Sequence, residues 1–358
     1  MTRRALVSSR DVRASEAWTS HDHSRDGIAP TDGAQCRESA NTDDAGAIAG
    51  PDSVRRTIVG TNLRVHPLAL GCNAFGWTAT GEESLAILDT HRDLGGNFLD
   101  TADSFAAGRS EVIIGSWLRS RSARSDTVLA TKVGRNLDNP GLSQRSIVAA
   151  VEASLGRLGT DYLDLLYFHF DDKTVPLEES LVAADALIDA GKVRYLGASN
   201  FSAERLMEAR VLSAIGLPKM VAAETPYNLV HRAELENDVA VVARAQHLAL
   251  MPGFALAHGF LAGAFRTKAA TVGTARGQLA AAYLNRRSLR VLAMVDRIAT
   301  AQDAAPASIA LAWLLARPDV VAPVAGAGRA EQVQSLIAAA RIRLSRTELM
   351  DLDRVSAY

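Results

Sequence analysis

The fold is decided by residues 163–199, which read LDLLYFHFDDKTVPLEESLVAADALIDAGKVRYLGAS. Leu163–His169 is a short apolar run of strand length, and Val193–Ser199 is a second one. Leu177–Ala190 lies between them and has the length and composition of a helix. Two strands joined by one helix predict a parallel pair with a helical crossover, because parallel neighbours need a long connection.

The same alternation continues on both sides of this segment, from Leu68 to the C-terminus. Eight such units over roughly 250–300 residues have the size of a closed (β/α)8 barrel. An open doubly wound sheet is the alternative, but Leu70–Gly76, the first turn after a strand, lacks GxGxxG spacing. We therefore predict an α/β protein with one TIM-type (β/α)8 barrel at 56–358. Its strands are predicted at Leu68–Leu70, Asn97–Asp100, Thr127–Lys132, Leu163–His169, Val193–Ser199, Met220–Glu224, Ala249–Phe254 and Val321–Ala325.

Residues 1–55 differ from the rest of the chain. They are rich in Arg, Asp, Ser, Ala and Thr, and Trp18 is their only aromatic residue. No periodicity persists, so the segment has too little apolar surface to offset its ordering entropy, and we predict a disordered extension. An alternative is that translation starts near Val54, which N-terminal sequencing of the native protein would test.

Composition excludes several classes of protein. A formal net charge of -1 argues against a dedicated nucleic-acid binder and against docking on acidic membranes. Two cysteines, Cys36 and Cys72, do not make a disulfide scaffold, and no Cys/His cluster indicates a metal site. The first 30 residues lack an apolar signal region, and prolines and glycines interrupt the uncharged stretch 248–265. We therefore expect a cytoplasmic protein with no membrane span.

Polar residues end several of the predicted strands. Asp100, Lys132 and His169 follow three successive strands, and Ser199, Asn200 and Glu224 follow the next two. Taken singly, such an Asp is often a helix cap, such a Lys faces water and such a His is a core residue. Because the carboxyl ends of barrel strands open on one mouth, their conjunction favours a shared site there.

Several segments resemble the aldo-keto reductases: Asn97–Asp103, Ala130–Val133, Asp164–His169 and Gly191–Phe201. The resemblance runs from about Ile58 to the C-terminus. It implies a (β/α)8 barrel that binds NADPH without a Rossmann fold and reduces a small-molecule carbonyl substrate.

The family resemblance also implies catalytic residues. Asp100, Lys132 and His169 match the family's Asp, Lys and His. The family's Tyr, which protonates the carbonyl oxygen, belongs five residues after the Asp, where this chain has Phe105. Phe cannot donate a proton, and general acid catalysis typically contributes about 10²–10⁴-fold. The candidate replacements considered are His169, a water on Lys132 and, most weakly, Ser104.

The cofactor positions are partly altered. Glu224 stands where relatives carry a Gln that contacts the nicotinamide carboxamide, Gly253 replaces an aromatic that stacks on the ring, and Arg329 lies one residue beyond the family's Arg near the adenosine phosphate. By the strand's alternation, we predict that Phe254 does not replace that aromatic. The remaining cofactor positions fit the family unchanged: Ser199, Asn200, Leu256, Gly259 and Gln332.

Three functions remain open at this point. The first is an NADPH-dependent oxidoreductase acting on a carbonyl or activated enone. The oxyanion of an activated substrate is already stabilised, so its reduction depends less on the missing general acid. The second is a non-catalytic nucleotide- or partner-binding protein on the same barrel. The third is a lyase or isomerase that forms a Schiff base at Lys132. The sequence predicts neither the substrate nor the oligomeric state.

Overall fold

The computed structural model describes residues 54–358, and the predicted disordered extension lies almost entirely outside them. Ten strands are present in this part of the chain. They are β1 (Arg56–Thr57), β2 (Arg64–Val65), β3 (Ala69–Gly71), β4 (Phe98–Asp100), β5 (Val128–Val133), β6 (Leu163–Phe168), β7 (Val193–Ser199), β8 (Met220–Pro226), β9 (Ala249–Gly253) and β10 (Val324–Ala325).

Helices alternate with β3–β10 around the outside. They are α1 (Gly81–Asp93), α2 (Arg109–Ser120), α3 (Gln144–Leu158), α4 (Leu177–Asp189), α5 (Ala203–Ala214), α6 (Ala240–Gln246), α7 (Ala275–Ala280), α8 (Arg286–Ala301), α9 (Pro306–Leu315), α10 (Ala330–Ala338) and α11 (Arg346–Ser356). A π-helical segment, Leu235–Val239, leads into α6.

Strands β3–β10 form one parallel sheet in the order β10-β3-β4-β5-β6-β7-β8-β9. The two edges meet through a parallel bridge between Leu250 and Val320. The Leu250 N–H donates to Asp319 O at 2.8 Å, and the Val321 N–H donates to Leu250 O at 2.9 Å. The sheet is therefore closed, and the predicted (β/α)8 barrel is confirmed.

Helix α3 illustrates how local sequence places the outer layer. The Ser143 hydroxyl accepts from the Ser146 N–H at 3.3 Å and caps the first turn. Ile147 and Val151 share the face that is buried against the barrel. Gly159 ends the helix at φ 62°, a left-handed conformation that glycine adopts without a Cβ clash.

A hairpin closes the amino end of the barrel and was not among the predicted elements. Strands β1 and β2 pair antiparallel, and Ile58, Leu63 and Val65 pack into the barrel interior. The prediction missed this hairpin because each strand has only two residues, too few for a periodic signal.

Several strand bounds differ from the sequence prediction, three of them at the site or at the edge of the sheet. β6 ends at Phe168 and β9 at Gly253, so His169 and Phe254 begin loops. The predicted strand Val321–Ala325 is shortened to Val324–Ala325.

Helix α7 lies inside the long loop after β9 and was not predicted. Its six residues are too few to show a 3.6-residue period. No single helix among residues 54–358 is both long and apolar enough to cross a membrane. Only α8 and α9 taken together have that length and composition, and they are bent by 100° at their break.

Candidate active site

The central pair of the site is set by strand alternation on β5. The Thr131 hydroxyl points outward and donates to Glu111 Oε1 at 2.6 Å, so the next side chain, Lys132, points into the barrel. There Lys132 Nζ lies 2.5 Å from Asp100 Oδ1 and 3.3 Å from Thr101 O. Asp100 ends the neighbouring strand β4, whose register sets it opposite Ala130. The predicted Asp–Lys pair is therefore formed, and it is fully buried.

A third charged group joins this pair. Glu224 Oε2 of β8 lies 3.1 Å from Lys132 Nζ, and the Glu224 carboxyl also hydrogen-bonds to the carboxyl of Asp100. Its side chain is 12% exposed, whereas those of Asp100 and Lys132 are 3% and 2% exposed. Two carboxyl groups thus share one ammonium, and Glu224 is the member that reaches the mouth.

The electrostatics follow from burial and this charge count. Burial acts to lower the pKa of Lys132, but the Asp100 and Glu224 carboxyls outweigh it, so its pKa lies above the ordinary value. Burial raises the pKa of Asp100, and Lys132 offsets only part of that rise. Burial, and then the charge of Asp100, raise the pKa of Glu224 to about 8. The cluster therefore holds one proton more at neutral pH than three independent groups would.

Phe105 occupies the position above the ammonium group. Its ring centre lies 5.6 Å from Lys132 Nζ, a cation–π distance, and 6.0 Å from the His169 ring in an edge-to-face arrangement. Ala106 and Ala107, which follow it, have φ values of 50° and 54°. Such left-handed backbone is strained for alanine and turns the chain sharply at this point. The structure thus brings Phe105 to Lys132 and His169, as the sequence predicts.

His169 is held by its backbone rather than by its ring. Its N–H donates to Val133 O at 3.0 Å, and its carbonyl accepts from Asn200 Nδ2 at 3.0 Å. The ring Nδ1 is buried without a hydrogen-bond partner. Burial, followed by the charges of Lys132 and Arg135, lowers the pKa of His169 to about 3. The imidazole is therefore neutral at physiological pH.

Ser199 and Asn200 form a polar corner beside this centre. Asn200 has φ 57°, and its Nδ2 also donates to Ser199 Oγ at 3.0 Å, which leaves the amide oxygen as an acceptor. The Asn200 N–H donates to Glu224 O at 2.9 Å, so this corner and the charged cluster share backbone.

The loop after β9 carries the next predicted positions. A Cβ added to Gly253 would lie 3.5 Å from Glu224 Oε1, so this glycine borders the charged cluster. Phe254 is 49% exposed, has φ 50° and packs on the His258 ring. Leu256 packs against the core, and Gly259 has φ 94°. Because β9 ends at Gly253, strand alternation does not fix the direction of the Phe254 ring. The prediction that Phe254 does not replace the family's stacking aromatic therefore loses its basis.

Arg329 and Gln332 lie at the start of α10. Gln332 Oε1 accepts from the N–H groups of Gly328 and Arg329 at 2.8 and 3.2 Å and caps the helix. The Arg329 side chain is 72% exposed, and its nearest carboxylate, Glu331, is 4.0 Å away. No contact among the described residues joins these two to the charged cluster, and their role toward a cofactor stays a prediction.

Arg276 on α7 is a candidate that the sequence analysis missed. Its guanidinium is half-buried and donates to Asn73 Oδ1 at 3.2 Å, across from the loop that follows β3. Burial lowers its pKa, and no carboxylate within residues 54–358 offsets that shift. Nothing in the sequence sets Arg276 apart from the other basic residues of the loop after β9, because only folding brings α7 to the mouth.

The fit to a nicotinamide dinucleotide can be tested on this donor set. The free amide oxygen of Asn200 and the Ser199 hydroxyl suit a carboxamide. Arg276 donates only to an amide oxygen, and Arg329 is exposed with its nearest carboxylate 4.0 Å away, so both guanidinium groups suit phosphate groups. The residues therefore fit the group.

A closed parallel barrel with a buried Lys–Asp pair at the carboxyl ends of its strands has the architecture and site position of a TIM-barrel enzyme. The model of the Aldo/keto reductase family matches residues 67–357, and the chain belongs to this family. The predicted resemblance is confirmed.

Individual relatives agree with this assignment. The chain is 29% identical to "Norsolorinic acid reductase B" of Dothistroma septosporum over 82% of this chain and 78% of the relative. It is 30% identical to "Aldo-keto reductase yakc [NADP(+)]" of Schizosaccharomyces pombe over 81% and 88%. It is also 32% identical to a "Probable voltage-gated potassium channel subunit beta" of Oryza sativa subsp. japonica over 81% and 92%.

Proposed function

We propose that the protein is an NADPH-dependent oxidoreductase that reduces an activated carbonyl or an enone. The observation that carries this proposal is the buried Asp100–Lys132 pair next to Phe105 and His169, which keeps three of the family's four catalytic positions. When bound, NADPH supplies a hydride. Ser199 and Asn200 would hold its nicotinamide end, and Arg276 and Arg329 would bind its phosphates.

The substrate class follows from the altered position. Phe105 removes the hydroxyl that would stabilise a developing alkoxide. A substrate whose oxyanion is already stabilised by conjugation or by a neighbouring carbonyl depends less on that donor. Lys132 contributes positive charge there through its raised pKa, which keeps the ammonium protonated.

The test uses wild type and Phe105→Tyr. NADPH binding is measured by nucleotide fluorescence, and turnover with para-nitrobenzaldehyde, diacetyl and cyclohexenone is measured for each protein. We expect both proteins to bind NADPH and wild type to reduce at least one probe. Absence of binding and turnover in both proteins at every pH would contradict the proposal.

A binding protein without turnover is the second candidate. Phe105 favours it, because the general acid of the family is absent. This alternative predicts that NADPH binds while wild type shows no turnover and Phe105→Tyr gains it. The lyase alternative is disfavoured, because a Lys132 held as an ammonium between two carboxyls is not the neutral nucleophile that a Schiff base requires.

A further inference from the structure

The mouth of the barrel holds few groups that can replace the missing hydroxyl. His169 is neutral, so its ring is a poor acid. Lys132 is held by two carboxyls, which raise its pKa and weaken it as a proton donor. The Tyr167 hydroxyl lies in the barrel interior with no exposed surface, so it does not face a substrate. The two carboxyl groups of the cluster, Asp100 and Glu224, remain, and Glu224 is the more exposed of them.

Glu224 lies beside the ammonium group that Phe105 also faces. It contacts Lys132 at 3.1 Å, on the ammonium that also lies 5.6 Å from the Phe105 ring. It is more exposed than Asp100 or Lys132, at 12% against 3% and 2%. Its Oε1 borders Gly253, where a Cβ would lie 3.5 Å from that oxygen. Phe105 and Glu224 thus both lie next to Lys132, and Gly253 lies next to Glu224.

The surrounding charges decide which carboxyl carries a proton. Asp100 on β4 and Glu224 face the same ammonium of Lys132 on β5, and two like charges cannot both be stabilised there. Asp100 makes the shorter contact with Lys132, 2.5 Å, which favours its ionised form over that of Glu224. The Tyr167 hydroxyl of β6 is neutral, because burial raises its pKa. Strands β7 and β9 end in Ser199 and Gly253, which bring no charge to the cluster. The pKa of Glu224, raised to about 8, agrees with this assignment.

We infer that Glu224 is the catalytic acid of this protein and replaces the tyrosine hydroxyl that Phe105 lacks. The inference rests on the proposed reductase function. The substrate C=O π bond breaks as its carbon gains the hydride supplied by NADPH. Its oxygen gains the proton as the Glu224 O–H bond breaks. The products are an alcohol, oxidised NADP and a Glu224 carboxylate, which solvent reprotonates.

The test compares wild type, Glu224→Gln and the double variant Phe105→Tyr/Glu224→Gln. Gln has the same shape and keeps an oxygen for Lys132 but cannot give up a proton. We expect kcat of Glu224→Gln to fall by about 10²–10⁴-fold while NADPH affinity and KM stay within about threefold. The double variant, which regains a hydroxyl, recovers most of the loss. Glu152→Gln on the outer face of α3 is the matched control and keeps wild-type kcat.

Two measurements separate an acid from a structural residue. Wild-type kcat/KM falls as pH rises through about 8, because the donor form is lost, and Glu224→Gln lacks that limb. Infrared difference spectra of the protein without nucleotide, wild type minus Glu224→Gln at neutral pH, show the C=O stretch of a protonated carboxyl. This second readout does not depend on turnover.

The outcomes are distinguishable. An active wild type whose Glu224→Gln variant keeps kcat within about threefold overturns the inference and leaves the reductase function standing. An inactive wild type overturns both. An ionised Glu224 in the infrared spectrum at neutral pH overturns the inference alone. If Glu224→Gln does not fold, Asp100→Asn replaces it: removal of that charge moves the alkaline limb to lower pH, and an unmoved limb contradicts the assignment.

Discussion

Two layers of side chains inside the barrel differ although the same strands supply them. The lower layer, near the amino end, contains Phe98, Ala130, Leu165 and Ala222, which form one apolar cluster with the hairpin residues. The upper layer lies two residues further along each strand and contains Asp100, Lys132, Tyr167 and Glu224.

Because strand side chains alternate, a step of two residues keeps the direction and changes only the height. The lower layer is apolar and buried. The upper layer carries buried charges and polar atoms without partners, among them Tyr167 Oη. Apolar burial in the lower layer stabilises the barrel. Buried charges and unpaired polar atoms in the upper layer destabilise it, which is typical of a functional site.

The largest effect on this comparison is expected from Lys132→Met. It leaves two carboxyls in a buried site without their cation, which costs about 3–5 kcal/mol of unfolding free energy and abolishes the arrangement of the site. The loss shrinks at low pH, because protonation removes the uncompensated charges. Urea unfolding at several pH values measures it. Lys192→Met, which breaks an exposed pair with Glu152, is the control and should cost less than about 1 kcal/mol. A loss that does not vary with pH would contradict the electrostatic origin.

The next effect is expected from Phe98→Ala in the lower layer. A cavity beneath Asp100 costs about 3 kcal/mol, and the cost is the same at every pH because no charge is involved. Nucleotide affinity should change little in the fraction that stays folded. Leu137→Ala, at a side chain 93% exposed, should change stability by less than about 0.5 kcal/mol. A pH-dependent loss for Phe98→Ala would mean that the two layers are not separable.

Per pH unit, a smaller effect is the change in the stability of wild type relative to Glu224→Gln. The pKa of Glu224 is about 8 in the folded protein and about 4.3 in an unfolded chain, so the folded state holds the proton over that window. The stability from this group is complete below about pH 4.3 and is lost as pH rises through 8.

As pH rises through this window, the unfolding free energy of Glu224→Gln should therefore increase relative to that of wild type by about 1.4 kcal/mol per pH unit. Urea unfolding of both proteins from acid to alkaline pH measures this slope. Glu152→Gln should run parallel to wild type. A flat difference for Glu224→Gln would show that Glu224 has an ordinary pKa.

The smallest effect is expected from Tyr167→Phe. Its hydroxyl is buried with no partner, so its removal should leave stability unchanged or raise it by about 1 kcal/mol. Tyr195→Phe is a matched control at the other end of the barrel, where the hydroxyl donates to Asn62 Oδ1 at 3.1 Å. Its loss should cost about 0.5–1.5 kcal/mol. Equal destabilisation by both changes would mean that Tyr167 has an unrecognised partner.

The sequence predicted the features that depend on local pattern. Eight apolar runs separated by helices gave the barrel, because strand and helix periods are readable within a dozen residues. Asp100, Lys132 and His169 were placed at one mouth, because the carboxyl ends of parallel strands share an edge. The two-residue hairpin strands and α7 were missed, because they are shorter than any period. The cytoplasmic location and the tail at residues 1–55 stay predictions.

The position of Glu224 could be read from the sequence, but its partner could not. Glu224 stands 92 residues from Lys132 in the chain and on a strand three places away in the sheet. Only closure of the barrel brings both carboxyls to one ammonium and places Gly253 beside them. Residue identity is local, so the sequence alone determined the barrel and the loss of the tyrosine hydroxyl. Burial and charge proximity are properties of the closed structure, and for this reason only the tertiary structure decided which acid holds a proton.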